Sequence, residues 1–203
     1  IAGPFCGMLL GDMGAEVIRI DKLAGSEDRY LVPVAESGEG PLFLALNRNK
    51  MSLTLNPMKP EGREVVRKLV ETADVVIANL PQPTLEAMGI DYDSLKAIKP
   101  DIILTTVTAY GNGGPYSERV GFDGVAQALA GATYMGGHPG DPMKSFVPFA
   151  DLGTATMAAF GTMSALLDRE KTGKGQLVEG ALTRTVMAFN ISLIAEEALK
   201  SID

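Results

Sequence analysis

Asp101-Ile102-Ile103-Leu104-Thr105-Thr106-Val107 is a near-continuous apolar, β-branched run, followed by the glycine-rich turn Gly111-Asn112-Gly113-Gly114-Pro115. A strand with one wet face alternates polar and apolar residues. An unbroken run of this length instead reads as a central strand of a parallel sheet, covered on both faces. Asp74-Val75-Val76-Ile77-Ala78 upstream has the same character. Glu16-Val17-Ile18-Arg19-Ile20 and the alternating Met51-Ser52-Leu53-Thr54-Leu55 read as two further strands, and Gln176-Leu177-Val178-Glu179 as a weaker fifth.

Helical patterns separate these runs. Pro60 is a favoured first-turn residue, and the segment it opens places Val65, Val66, Leu69, Val70 and Ala73 on one face. Glu64 and Lys68 form an i,i+4 pair on the other. Strands alternating with helices predict an α/β fold with a doubly wound parallel sheet and ligands at the carboxyl ends of its strands. Segments 24–41 and 132–148, rich in Gly, Pro and charge, read as long loops of the functional kind. From Leu152 to Leu167 the chain is almost wholly small or apolar, which predicts a helix buried all round or packed on a partner.

Composition narrows the function. The net charge of −7 over 203 residues argues against a nucleic-acid or anionic-membrane partner, since both require a basic face. A small anionic ligand needs only a few local cations. One cysteine, Cys6, and one histidine, His138, cannot build a disulfide or a zinc site, so no metal and a reducing, cytoplasmic setting are expected. Cys6 reads as a small buried residue on a helix. No apolar run has the length of a membrane span. The chain opens at Ile1 inside a glycine-containing loop and stops in a helical stretch at residues 194–200, so it reads as part of a longer protein.

Among the polar residues, Asp151 in Phe149-Ala150-Asp151-Leu152-Gly153 sits at a helix start. There it is either an N-cap or a carboxylate nucleophile that the first-turn amides keep ionised. The turn at Gly111 and Gly113 either lets a ligand approach backbone amides or is an ordinary tight loop. Asn47-Arg48-Asn49-Lys50, with Arg19, Lys22 and Arg29, reads as a solvated charge cluster or as a phosphate-binding patch.

Taken in order, Ala2-Gly3-Pro4, Leu10-Gly11-Asp12-Met13-Gly14-Ala15-Glu16-Val17-Ile18, Leu46-Asn47-Arg48-Asn49-Lys50-Met51-Ser52, Asp74 to Asn79, Gly111 to Pro115, Ala150-Asp151-Leu152 and Thr172-Gly173-Lys174-Gly175-Gln176 resemble the class III coenzyme A-transferases. That family holds the formyl-CoA and carnitine CoA-transferases and the 2-methylacyl-CoA racemases. The resemblance runs nearly the whole length. It implies that residues 1–203 are a CoA-binding, Rossmann-like unit, the N-terminal part of a large domain. The first strand, the small domain, the C-terminal return segment and a covering glycine-rich loop are expected to lie outside it.

The resemblance further implies an interlocked homodimer acting on an acyl-CoA and a small carboxylic acid. Asp151 matches the aspartate that becomes an acyl anhydride and then an aspartyl-CoA thioester. Asn79 and Leu80 match positions near the CoA adenine, and Arg48, Asn49 and Lys50 the strip near its phosphates. Ala2, Arg19, Lys22, Asn47, Gly111, Gly113 and Phe122 complete the expected CoA contacts. The sequence departs from the family pattern at Leu80-Pro81-Gln82 and at Ala87, where an aromatic residue and arginines are usual. Phe122 stands where racemases carry a proton-shuttling histidine, which disfavours racemisation. Asp123 matches an acidic position near the transferase site and reads equally as an N-cap. A racemase and a non-catalytic CoA-binding paralogue remain the alternatives.

Overall fold

The β-branched runs form parallel strands, and the helical patterns between them become their covers. The computed structural model describes residues 1–31, 35–36 and 38–200. Helix α1 (Ala2–Asp12) leads into strand β1 (Ile18–Asp21), a short 3-10 helix (Glu27–Tyr30), α2 (Pro41–Leu46) and β2 (Met51–Thr54). Helix α3 (Pro60–Thr72), β3 (Val75–Ala78), α4 (Gln82–Met88), α5 (Tyr92–Ile98) and β4 (Ile103–Thr108) follow. The remainder comprises α6 (Asp123–Leu129), α7 (Ala132–Met135), β5 (Gly137–His138), β6 (Asp141–Pro142), α8 (Phe149–Thr172), β7 (Leu177–Ala181), α9 (Leu182–Phe189) and α10 (Ile191–Lys200).

The five expected strands are all present, but they do not make one sheet. β1 pairs in parallel with β2, Ile18 opposite Met51. β3, β4 and β7 form a separate parallel sheet in that order, with Val75 opposite Ile103 and Leu104 opposite Leu177. Among the described residues no strand is shared between the two sheets. Helix α1 is the joint. It packs on α8, β3 and β4, while Gly7 and Gly11 bring it against Val17 at the foot of β1.

Alternate residues of β4 face two separate cores. Leu104 packs with Val66, Val70, Leu85 and Leu95 from α3, α4 and α5. Val107 packs with α1, α6, α8 and α9, and the Thr105 hydroxyl bonds that of Thr162 at 2.6 Å. Helices on both faces explain why the run lacks polar alternation. Val66 and Val70 are buried as the helical pattern requires, whereas Val65 is exposed. Glu64 prefers Arg67 at 2.8 Å to Lys68 at 3.9 Å.

Two expectations take a more definite form. Of the two readings of helix α8, burial all round does not hold within this chain: Ala150, Thr154, Ala155, Ala158, Ala159, Thr162 and Ala165 face inward, while Met157, Phe160 and Leu167 form the exposed apolar face that packing on a partner requires. Its faces differ in side-chain size rather than polarity, because the inner face must approach backbone closely. A Cβ on Gly161 would lie 2.8 Å from Val178. Segment 132–148 is not wholly loop, since it holds α7 and the β5–β6 hairpin, with His138 exposed on β5. Segment 24–41 contains the 3-10 helix and ends at the start of α2, and its residues 32–34 and 37 lie outside the described residues. Among the described residues no helix is long and apolar enough to cross a membrane.

Candidate active site

Strands β3 and β4 and helices α1, α6 and α8 deliver their ends to the carboxyl edge of the three-stranded sheet. Asn79 follows β3 directly and lies against the first turn of α1. A Cβ on Gly3 would meet Asn79 Oδ1 at 2.6 Å, so a larger residue there would have to displace the Asn79 side chain. Ala2 beside it is buried, and Leu80 packs into the core under α3–α5. Arg63 of α3 reaches the carbonyl of Ala87, the position where the family pattern has arginine. Past β4, Gly111 and Gly113 take positive φ angles of 77° and 78°, which a side chain would strain.

Asp151 lies in the first turn of α8, not at its N-cap, which is Pro148. Asp123 likewise opens α6 one residue inside its N-cap, Phe122. The two helices meet here. The backbone N–H of Asp151 donates to Asp123 Oδ2 at 3.1 Å, so Asp123 satisfies a first-turn amide of α8 rather than of its own helix. Gln127, one turn along α6 and fully buried, donates from Nε2 to Asp123 Oδ1 and accepts the N–H of Ser145 at 2.8 Å. Phe122 is 72% exposed beside this pair.

The electrostatics at Asp151 pull against the helix amides expected to keep it ionised. Burial pushes the Asp151 carboxyl above its usual range, and the Asp123 carboxylate adds to the rise. Desolvation and a like-charged neighbour both disfavour the ionised form. A carboxyl with a raised pKa is a better nucleophile once ionised, and such perturbed acids concentrate at functional sites.

The expected phosphate strip is arranged differently. Arg19, only 13% exposed, donates to Asp28 and Asp21 and to Asn47 Oδ1 at 2.6 Å. Lys50 Nζ spends its donors on Pro4 O at 2.7 Å, and on Leu46 O and Asn47 Oδ1 at 2.8 Å. Burial first, and the charge of Arg19 second, bring Lys50 down to about 8. Asn49 takes the left-handed conformation, φ 58°, and donates to Gly11 O, while exposed Arg48 pairs with Asp12. Lys22, bonded to Glu27, opens onto a cleft of about 400 Å³ at the carboxyl ends of β1 and β2, with Asp21, Arg29, Ser52 and Thr54 among its walls. The structure therefore brings Ala2, Asn79, Leu80, Gly111, Gly113, Phe122, Asp123 and Asp151 to one edge. It turns Arg19, Asn47 and Lys50 inward, ties exposed Asn49 to Gly11, and leaves Lys22 and Arg48 open to solvent.

Sequence reasoning missed two residues. Nothing in the sequence marks Gln127 except its i+4 spacing from Asp123. Arg184 lies over Gly111, where a Cβ would sit 2.9 Å from its guanidinium carbon. Among the described residues no group of three or more His, Cys, Asp or Glu side chains could hold a metal.

Comparison with known proteins identifies the family and the fold. Residues 1–200 match the family described as CoA-transferase family III. The human succinyl-CoA:glutarate CoA-transferase is 37% identical over 190 residues, 93% of this chain and 43% of that protein. The beta subunit of succinyl-CoA–L-malate CoA-transferase from Chloroflexus aurantiacus is 38% identical over 198 residues, 96% of this chain and 49% of that one. A crystal structure of a CAIB/BAIF family protein from Brucella suis superposes with a TM-score of 0.92 at 39% identity, covering 100% of this chain and 55% of the other. The chain thus spans about half the length of the relatives it matches.

Proposed function

The chain belongs to CoA-transferase family III, and from that premise we propose that it carries the nucleophile-bearing half of an acyl-CoA:carboxylate CoA-transferase. The observation that carries the reading is the half-buried Asp151 carboxyl at the carboxyl edge of the sheet, its backbone held by Asp123 and its pKa raised by burial.

In this reading the Asp151 carboxylate attacks the thioester carbonyl of the donor, the C–S bond breaks, and CoA leaves as the thiolate. The thiolate then attacks the aspartyl carbonyl of the mixed anhydride, releasing the donor acid and leaving an aspartyl-CoA thioester. The acceptor carboxylate displaces CoA through a second anhydride. Attack of the thiolate on that anhydride's acyl carbonyl yields the new acyl-CoA and restores Asp151. A carboxylate is a weak nucleophile in water, so holding the thioester against it supplies much of the rate.

Ala2, Asn79, Leu80, Gly111, Gly113 and Phe122 are proposed to contact CoA directly at this edge. Lys22, on the cleft, and Arg48 are proposed to supply its exposed cations. Arg19, Asn47, Asn49 and Lys50 are proposed to hold the frame between these groups. Succinyl-CoA and a small dicarboxylic acid head the donor and acceptor panel, since relatives named for such substrates share 37–38% identity with this chain. An interlocked homodimer in a reducing, cytoplasmic compartment remains part of the proposal. Exposed Phe122, which cannot carry a proton, weighs against a racemase.

The test is intact-mass analysis of the full-length protein after incubation with acyl-CoAs and then hydroxylamine or borohydride. A stable adduct at Asp151, absent from Asp151→Ala, is expected. CoA binding without any adduct would move the reading to the non-catalytic paralogue.

A further inference from the structure

Gln127 is a fully buried carboxamide whose two ends are both engaged at the site, one on Asp123 and the other on the backbone of Ser145. Nothing in a helix requires this. A polar side chain wholly out of water in the Ala126–Ala130 stretch costs free energy unless its bonds are made, and an alanine there would avoid the cost. Its orientation is fixed by its partners: the N–H of Ser145 can only donate, so Gln127 must present its oxygen there and its NH2 to Asp123. One carboxylate oxygen of Asp123 therefore faces Gln127, and the other is left for the N–H of Asp151. The result is a single chain of hydrogen bonds from the segment before α8, through α6, to the backbone of the proposed nucleophile.

We propose that Gln127 is a positioning residue acting through Asp123: its NH2 fixes the orientation of the Asp123 carboxylate, so that the first turn of α8 holds Asp151 facing the thioester. This rests on the reading of Asp151 as nucleophile. The charged side chains at this point are Asp123 on α6, Asp151 on α8 and Lys144, whose stem lies against Gly124. Among the described residues, only Gln127 donates a side-chain hydrogen bond to either carboxylate.

Gln127→Glu separates positioning from simple packing. The new side chain has nearly the same shape and retains an oxygen for Ser145, so a purely structural role is preserved. When ionised it cannot donate to Asp123 and adds a third negative charge. When protonated it can donate again. In the full-length enzyme the variant is therefore expected to form the trapped Asp151 thioester at least about tenfold more slowly than wild type near pH 8. The rate should recover toward the wild-type value as the pH falls and the introduced carboxyl takes up a proton, with KM for the acyl-CoA nearly unchanged. A wild-type pH profile in Gln127→Glu would overturn the proposal.

Titration of the Asp151 carboxyl by carbon NMR in the free enzyme supplies a readout that does not depend on turnover. Its midpoint should shift in Gln127→Glu and Gln127→Leu, and an unmoved midpoint in both would likewise overturn the proposal. If wild-type enzyme forms no adduct at Asp151, the functional reading fails on its own, and the NMR midpoints still decide the role of Gln127.

Discussion

Two clusters of buried charge lie along helix α1, and they differ in how their charges are matched. Toward the β1–β2 sheet, Arg19 and Arg29 meet Asp21, Asp28 and Glu39, with Phe43 stacked beneath the guanidinium of Arg29 at 4.0 Å. Each charge there has an opposite partner, and Lys50 is spread over three oxygens. At the other end, Asp123 and Asp151 stand together without an ion pair to any lysine or arginine among the described residues. The first arrangement satisfies itself and needs no ligand. The second holds like charges in a low-dielectric corner, which folding alone does not favour, and it is the one that suits chemistry.

The largest expected effect tests the unmatched cluster. Asp151→Asn in the full-length protein should lower the rate of CoA transfer by roughly 10³-fold or more, because the proposed nucleophile is gone. Its melting temperature should match or exceed that of wild type, since a carboxyl that is strained when ionised has been made neutral. A fall in stability comparable to the matched cluster's would erase the distinction between the two. The reciprocal change, Arg19→Met, leaves Asp21 and Asp28 buried without their main partner. It should cost about 3 kcal/mol in urea unfolding of the full-length protein. Folded Arg19→Met should turn over close to the wild-type rate at saturating acyl-CoA. A large loss of turnover with unchanged stability would instead make Arg19 a ligand contact.

Legibility in the sequence divided along the same line. Runs such as Ile102–Val107 announced their strands because burial on both faces leaves a local signature. The glycine turns did the same, through their positive φ. The division into two sheets was not legible, since it depends on α1 wedging between them through Gly7 and Gly11, a contact between distant segments. Which face of helix α8 is buried was not legible, because its inner and outer faces differ in size, which a hydrophobic pattern does not register. Asp151 and Asp123 were legible as candidates by position, but not the exchange by which Asp123 serves the backbone of the other helix. Arg19 and Lys50 read as a solvated cluster or a phosphate patch because no local pattern foretells Asp28 and Asn47 closing around Arg19, or the carbonyl of Pro4 meeting Lys50.

The smallest effect distinguishes the clusters most directly, because their stabilities should respond to pH with opposite sign. Burial alone would raise Asp28, but hydrogen bonds from Arg19 and Ser26 outweigh it and bring the carboxyl down to about 2. A carboxyl depressed on folding stabilises the native state above its unfolded pKa and ceases to do so as the pH falls through its folded pKa. The stability advantage of wild type over Asp28→Asn should therefore be about 1–2 kcal/mol at pH 6, allowing for solvent screening, and should shrink between about pH 4 and pH 2. Asp151 is raised instead, by burial first and by Asp123 in the same direction. Its ionised form weighs against the native state, so the advantage of Asp151→Asn over wild type should grow as the pH rises from about 4 toward neutrality. Urea unfolding of the three full-length proteins across that range measures both slopes. Slopes of the same sign would mean that Asp151 is held like Asp28, as one more matched charge in the frame, and the corner it occupies would lose its claim to be the reacting centre.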